Sequence, residues 1–224
     1  MASPDKSVVV EVYGEGKTDV GHNPRPQRPT NGVVPILLHT LCGRPRQMLV
    51  KRYGMPYMQQ KGTFAQKVRF AKRQARLNGA AAAAFVVDSD GDLPARRDEM
   101  EKGRRMEPGD FPLALGVAHP CIEAWLLADA TAIRRGLDLS SNPAVPSEPE
   151  SLPAPCEDRR NNPKTGLAAL AGAAKRELSV ADKERIAAAM NDMALVRARC
   201  PLGFAPFADE VDQHVHPLFS GRPV

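Results

Sequence analysis

Two groups of acidic residues in this sequence have the spacing of a reactive site. Glu15 follows a run rich in β-branched residues, Ser7 to Tyr13. Asp88, Asp90 and Asp92 follow a second, wholly apolar run about 70 residues later. In open parallel sheets, ligands bind just outside the carboxyl ends of the strands, and both groups fall at such ends. Carboxylates gathered at one edge repel one another, so they are stable together only with a cation or with raised pKa values. Oxygen donors with no Cys or His beside them favour magnesium or manganese. The expected metal ligands are therefore Glu15, Asp88, Asp90 and Asp92.

Competing motifs fit less of the pattern. Gly16-Lys17-Thr18 matches the end of a phosphate-binding P-loop, but the glycine required five residues earlier is Glu11. Asp88-x-Asp-x-Asp with Glu99 at the twelfth position matches a calcium loop, yet its sixth position is Leu93 and a strand precedes it. A strand ending in Asp-x-Asp also resembles the haloacid-dehalogenase-like phosphatases. Their pair usually lies on the first strand, and Glu15 would then have no role.

These groups need elements to position them. Residues 7–13 read as a strand, 34–42 as a helix with Pro35 in its first turn, and 47–51 as a short strand. Residues 63–78 read as an amphipathic helix, with Phe64, Val68, Ala71 and Ala75 on one face and Arg69, Lys72, Arg73 and Arg76 as a basic stripe. Strands at 82–87 and 112–117 bracket a charged helix at 93–106, and a helix follows from Cys121 to Ala128. Alternating strands and helices predict a parallel α/β sheet covered on both faces. Residues 138–163 hold six prolines and no apolar period, so they read as a loop. From Lys164 the pattern is helical to about residue 217. The expected organisation is an α/β domain over 1–137, a Pro-rich loop over 138–163, and a helical part over 164–224 packed on the core.

A first strand ending Glu15-Gly-Lys-Thr-Asp19, followed by a later strand ending Asp88-x-Asp90, resembles the TOPRIM domain of topoisomerases, primases and overcoming-lysogenization-defect nucleases. The match covers roughly residues 7–128. The resemblance implies a Rossmann-like parallel sheet, Glu15 as general acid/base or metal ligand, and Asp88 and Asp90 as magnesium ligands. With Pro120-Cys-Ile-Glu-Ala-Trp-Leu-Leu-Ala-Asp129 and Cys200-Pro-Leu-Gly-Phe-Ala-Pro-Phe-Ala-Asp-Glu-Val211, nearly the whole chain is similar to a poorly characterised prokaryotic family. Its TOPRIM-like members are often encoded beside an ATPase in defence-type operons. Asp19 departs from the glutamate expected in most relatives, which shortens that carboxylate by one methylene.

Glu123 has two readings. It is a third catalytic acid facing the metal, or an acid that complements the start of its helix. His119 is placed to contact phosphate or is a plain core or surface histidine. His214 and His216 point to different faces of a helix, which argues against a metal pair. Lys17 either meets a phosphate or is simply solvated.

Composition sets the outer limits. The chain has 224 residues, 42% of them hydrophobic, which suits a folded domain with a sizeable core. No apolar run is long enough for a membrane helix, and the start lacks a signal-peptide core, so a cytoplasmic protein is expected. Cys42, Cys121, Cys156 and Cys200 are scattered and read as buried, reduced thiols. The net charge is +5, but no Asp or Glu lies between Asp19 and Asp88, where twelve basic residues fall. Such segregation is the footprint of a polyanion binder. Lys17, Arg69, Lys72, Arg73 and Arg76 are the expected nucleic-acid contacts. The expected activity is magnesium-dependent hydrolysis of DNA or RNA by a TOPRIM-type endonuclease, an antiviral defence effector working with a separate ATPase. The alternatives are a regulated, non-catalytic partner of that ATPase and a metal-dependent phosphatase acting on a small molecule.

Overall fold

Strand β1 (Val8–Gly14) lies against β3 (Met48–Gly54) on one side and β4 (Ala82–Asp88) on the other, parallel to both. A computed structural model describes residues 7–16, 20–21, 23–28, 31–54 and 62–220. With β2 (Asn23–Gln27) and β5 (Leu113–Ala118), the strands form one sheet in the order β2-β3-β1-β4-β5. Ala83 N–H bonds to Pro112 O and Ser89 N–H to Ala118 O, so β5 also runs parallel to β4. Only β2 is antiparallel. The expectation of an α/β fold is borne out, with a sheet that is mostly rather than wholly parallel. β2 departs from the sequence expectation, because Asn-Pro-Arg-Pro-Gln lacks strand formers. Two residues without an N–H are tolerated in a strand only at an edge, which is where it lies.

By internal contacts the chain forms two compact units that interleave along the sequence. The first takes Met1–Val86, Arg97–Leu115 and Asp209–Val224, and the second takes Val87–Arg96 and Gly116–Ala208.

In the first unit, helix α1 (Val33–Leu41) and helix α2 (Phe64–Leu77) bury Val33, Leu37, Leu38, Val68, Ala71 and Ala75 with Val10, Val12 and Val50 of the sheet. Thr63 starts α2 with a reciprocal cap: its hydroxyl accepts the Gln66 N–H, and the Gln66 side chain accepts the Thr63 N–H. Helix α3 (Leu93–Met106) has the bounds expected from its charge pattern.

In the second unit, α4 (Ile122–Leu127) is wholly buried. Trp125 stacks on Phe207 and meets Phe204 edge-on, with ring centres 5.5 and 5.3 Å apart. Around it lie α5 (Ala130–Leu137), α6 (Pro163–Ala173), α7 (Val180–Ala189) and α8 (Met193–Arg199). Helix α9 (Phe204–His214) begins here. Gly136 lets α5 approach α7 closely, since a Cβ there would come within 2.6 Å of Ile186 N. The Pro-rich stretch is anchored by a 3₁₀ turn, Pro149–Ser151, whose buried Glu150 accepts the N–H groups of Leu202, Gly203 and Phe204. Among the described residues, no helix is long and apolar enough to cross a membrane.

Candidate functional site

Parallel pairing of β1 with β4 sets Gly14 opposite Val86. Glu15 is the next residue of the first strand. It belongs to the first unit, is partly buried, and its carboxylate lies 3.9 Å from Lys67 Nζ on α2. Lys17 lies outside the described residues.

The aspartates of the β4 loop belong to the second unit. Asp88 is the last residue of β4. Its Oδ1 accepts the Ile122 N–H at 2.9 Å, capping the start of α4, and its Oδ2 lies 3.5 Å from Lys164 Nζ on α6. Ser89 is fully buried and bonds through its hydroxyl to His119 Nδ1 at 2.9 Å. This fixes the histidine for which the sequence allows either a phosphate contact or a core position. Asp90 takes a left-handed backbone (φ 51°), accessible to aspartate at modest cost, and turns its carboxylate outward to Arg96, 3.4 Å away. Gly91 follows with φ 93°, and a Cβ there would come within 2.8 Å of Glu157 Oε1. Asp92, expected as a ligand, accepts the Ala95 N–H and so caps α3.

Glu123 is almost fully buried, and its Oε1 lies 2.6 Å from Lys183 Nζ on α7. Burial, followed by the charges of Glu123 and Asp88, pushes the Cys121 thiol far above its ordinary range. The second unit thus gathers Asp88 and Glu123 about one buried thiol, and Lys164 and Lys183 answer their charge. Cys42 and Cys200 are also buried, and burial pushes Cys42 up to about 12. Cys156 departs from expectation: it is exposed and donates to Asp90 O.

All four candidate catalytic acids therefore have a protein cation within 4 Å: Lys67, Lys164, Arg96 and Lys183. Sequence reasoning missed these partners. The one available signal was Glu123 itself, since an acid in an apolar helix requires a buried counter-charge. Oxygen-only donors suit magnesium in type. Among the described residues, however, no group of three or more His, Cys, Asp or Glu side chains is gathered to hold a metal.

The basic helix needs one correction. Arg69, Arg73 and Arg76 are exposed, but Lys72 is buried rather than part of the stripe. Lys72 lies four residues after Val68 and so turns toward the apolar face. Its ammonium donates to Arg104 O and Glu107 O at the end of α3, at 3.3 and 2.8 Å, and burial lowers its pKa. Arg69 and Arg76 both reach Glu107, at 3.5 and 3.8 Å. Arg73 has no hydrogen bond or ion pair among the described residues. His214 faces Glu210 and Arg104, whereas His216 opens a separate 3₁₀ turn. The two histidines do not form a pair on one helix face.

No family model, curated protein or solved structure matches the chain.

Proposed function

We propose that this protein hydrolyses phosphodiester bonds in nucleic acid as a TOPRIM-type endonuclease, dependent on magnesium or manganese and working with a separate ATPase in prokaryotic defence. The observation that carries this reading is the register of β1 against β4. Val10–Gly14 stand beside Ala82–Val86 in parallel, so the two strands leave their pairing at the same end. Glu15 follows directly after that end of β1, the side of a parallel sheet where ligands bind. When bound, a divalent cation would activate water and stabilise the leaving oxygen. The chain's own contribution is to orient Asp88 through the Ile122 N–H, to set Lys164 beside it, and to present Arg73 to the phosphate backbone.

The test is cleavage of DNA and RNA by the purified protein with magnesium or manganese, wild type against Asp88→Asn. The substitution keeps an oxygen for the Ile122 N–H and removes the charge paired with half-exposed Lys164, an ion pair worth about 0–1 kcal/mol. The thermal midpoint in chelator should therefore hold, while cleavage and any magnesium-induced rise in the midpoint should disappear. If Asp88→Asn instead melts far below wild type in chelator, Asp88 is a structural cap and the reading loses its main support.

A second reading draws on the cations already placed at Glu15, Asp88, Asp90 and Glu123. A protein held in that state is silent alone and becomes active, or signals, only when a partner rearranges it. Cleavage that appears only with the partner ATPase favours this reading.

A further inference from the structure

Within the second unit, a cavity of about 370 Å³ opens beside the first turns of α6. None of its lining residues is a candidate carboxylate, so a ligand held there is independent of the phosphodiester reading. The walls are largely apolar: Leu127 at the end of α4, Pro146 and Leu152 of the Pro-rich stretch, and Leu170 of α6. Four residues with polar side chains, Arg160, Asn161, Asn162 and Thr165, also line it, and they differ in what they have left to offer. Asn162 accepts the Thr165 N–H at 3.1 Å and donates to Asp158 O at 2.7 Å. The Thr165 hydroxyl donates to Arg159 O. These two side chains close the helix start and are occupied.

Arg160 and Asn161 are different. Asp158 Oδ1 accepts both of their backbone N–H groups, at 2.8 and 3.1 Å, which pins the turn that carries them. Their side chains are exposed and have no hydrogen bond or ion pair among the described residues. A pinned turn thus sets two exposed polar residues, an arginine and an asparagine, in the lining of a largely apolar cavity. The volume falls in the range of small-molecule sites, roughly 300–1,000 Å³. Arginine's planar fork matches carboxylate and phosphate groups.

We infer that this cavity binds a small organic anion, with its apolar or planar body against Leu127, Pro146, Leu152 and Leu170 and its phosphate or carboxylate on Arg160. A nucleoside monophosphate and a medium-chain acyl carboxylate are two sources of that chemistry.

The probe is 8-anilinonaphthalene-1-sulfonate, an aromatic anion, titrated by fluorescence into the folded full chain. Saturable binding at one site is expected. Arg160→Ala, at an exposed position, should weaken it by about tenfold, the scale of one lost charged hydrogen bond. Ala169→Trp, placed on the cavity wall, should abolish it while the thermal midpoint is kept. Competition identifies the source: displacement by adenosine monophosphate marks the phosphate, and displacement by octanoate the carboxylate. The inference is overturned if the probe does not saturate, if both variants bind it as the parent does, or if neither competitor displaces it.

Discussion

A buried carboxylate must be answered by a specific partner, and Glu123 shows how strictly. It lies in the first turn of a fully apolar helix, where its charge would be untenable without Lys183. Lys183→Met leaves that charge alone, and the expected cost is about 3–5 kcal/mol of unfolding free energy. Adding Glu123→Gln should recover much of the loss, because an amide carries no charge to bury. Denaturant titration of the two single variants and the double variant checks this. Equal loss in Lys183→Met and in the double variant would mean that Lys183 acts through packing and not through charge. This pairing was not legible in the sequence. Lys183 is 60 residues from Glu123, and Lys164 is 76 from Asp88, so local patterning carries no trace of either contact.

At the scale of the element, α2 shows where periodicity stops informing. Its start, end and buried face were readable because a capping threonine and the apolar spacing are local properties. Whether the edge of the polar arc meets water depends on what lies alongside, and the end of α3 lies alongside Lys72. The stripe therefore divides by role. Arg73→Gln should weaken nucleic-acid binding and reduce the slope of log affinity against log salt by about 0.7–0.9, with stability unchanged. Lys72→Met should leave Arg104 O and Glu107 O short of a donor and cost about 1–3 kcal/mol of stability. Binding isotherms at several salt concentrations, with melting curves beside them, separate the two. A salt slope unchanged in Arg73→Gln would place any nucleic acid elsewhere. The strands show the complementary case. β1, β3, β4 and β5 announce themselves by β-branched or apolar runs, whereas β2 is held by pairing to β3 despite its composition.

At the scale of the whole molecule, two of the described histidines contribute to the response to acid. Burial lowers the pKa of His39, and the charge of Arg44 adds to this against a hydrogen bond to Pro45 O. Burial also lowers His214, with Glu210 opposing and Arg104 assisting. In both, the folded value lies below the unfolded value of 6.5, so the unfolded chain binds more protons between the two. Their contribution to stability is complete above about pH 6.5 and is lost as the pH falls toward the folded values. Buried Glu150 has the opposite sign, since burial raises its pKa against three backbone N–H groups. The thermal midpoint should fall from about pH 7.5 to about pH 5.5, and His39→Gln should make that fall shallower. A midpoint independent of pH over this interval, in wild type and variant alike, would contradict the assignment.

The interleaving of the two units has a consequence for how the chain is made. Leu115 N–H and the Arg104 guanidinium both bond to the carboxylate of Glu210, within the first unit. Leu115 and Glu210 are 95 residues apart. At about 5–20 residues per second, a ribosome needs roughly 5–19 s after adding Leu115 to supply that acceptor. Throughout that interval the nascent first unit has its sheet residues but lacks the segment that completes it. The second unit has all its residues by Ala208, so it is the first of the two that translation can finish.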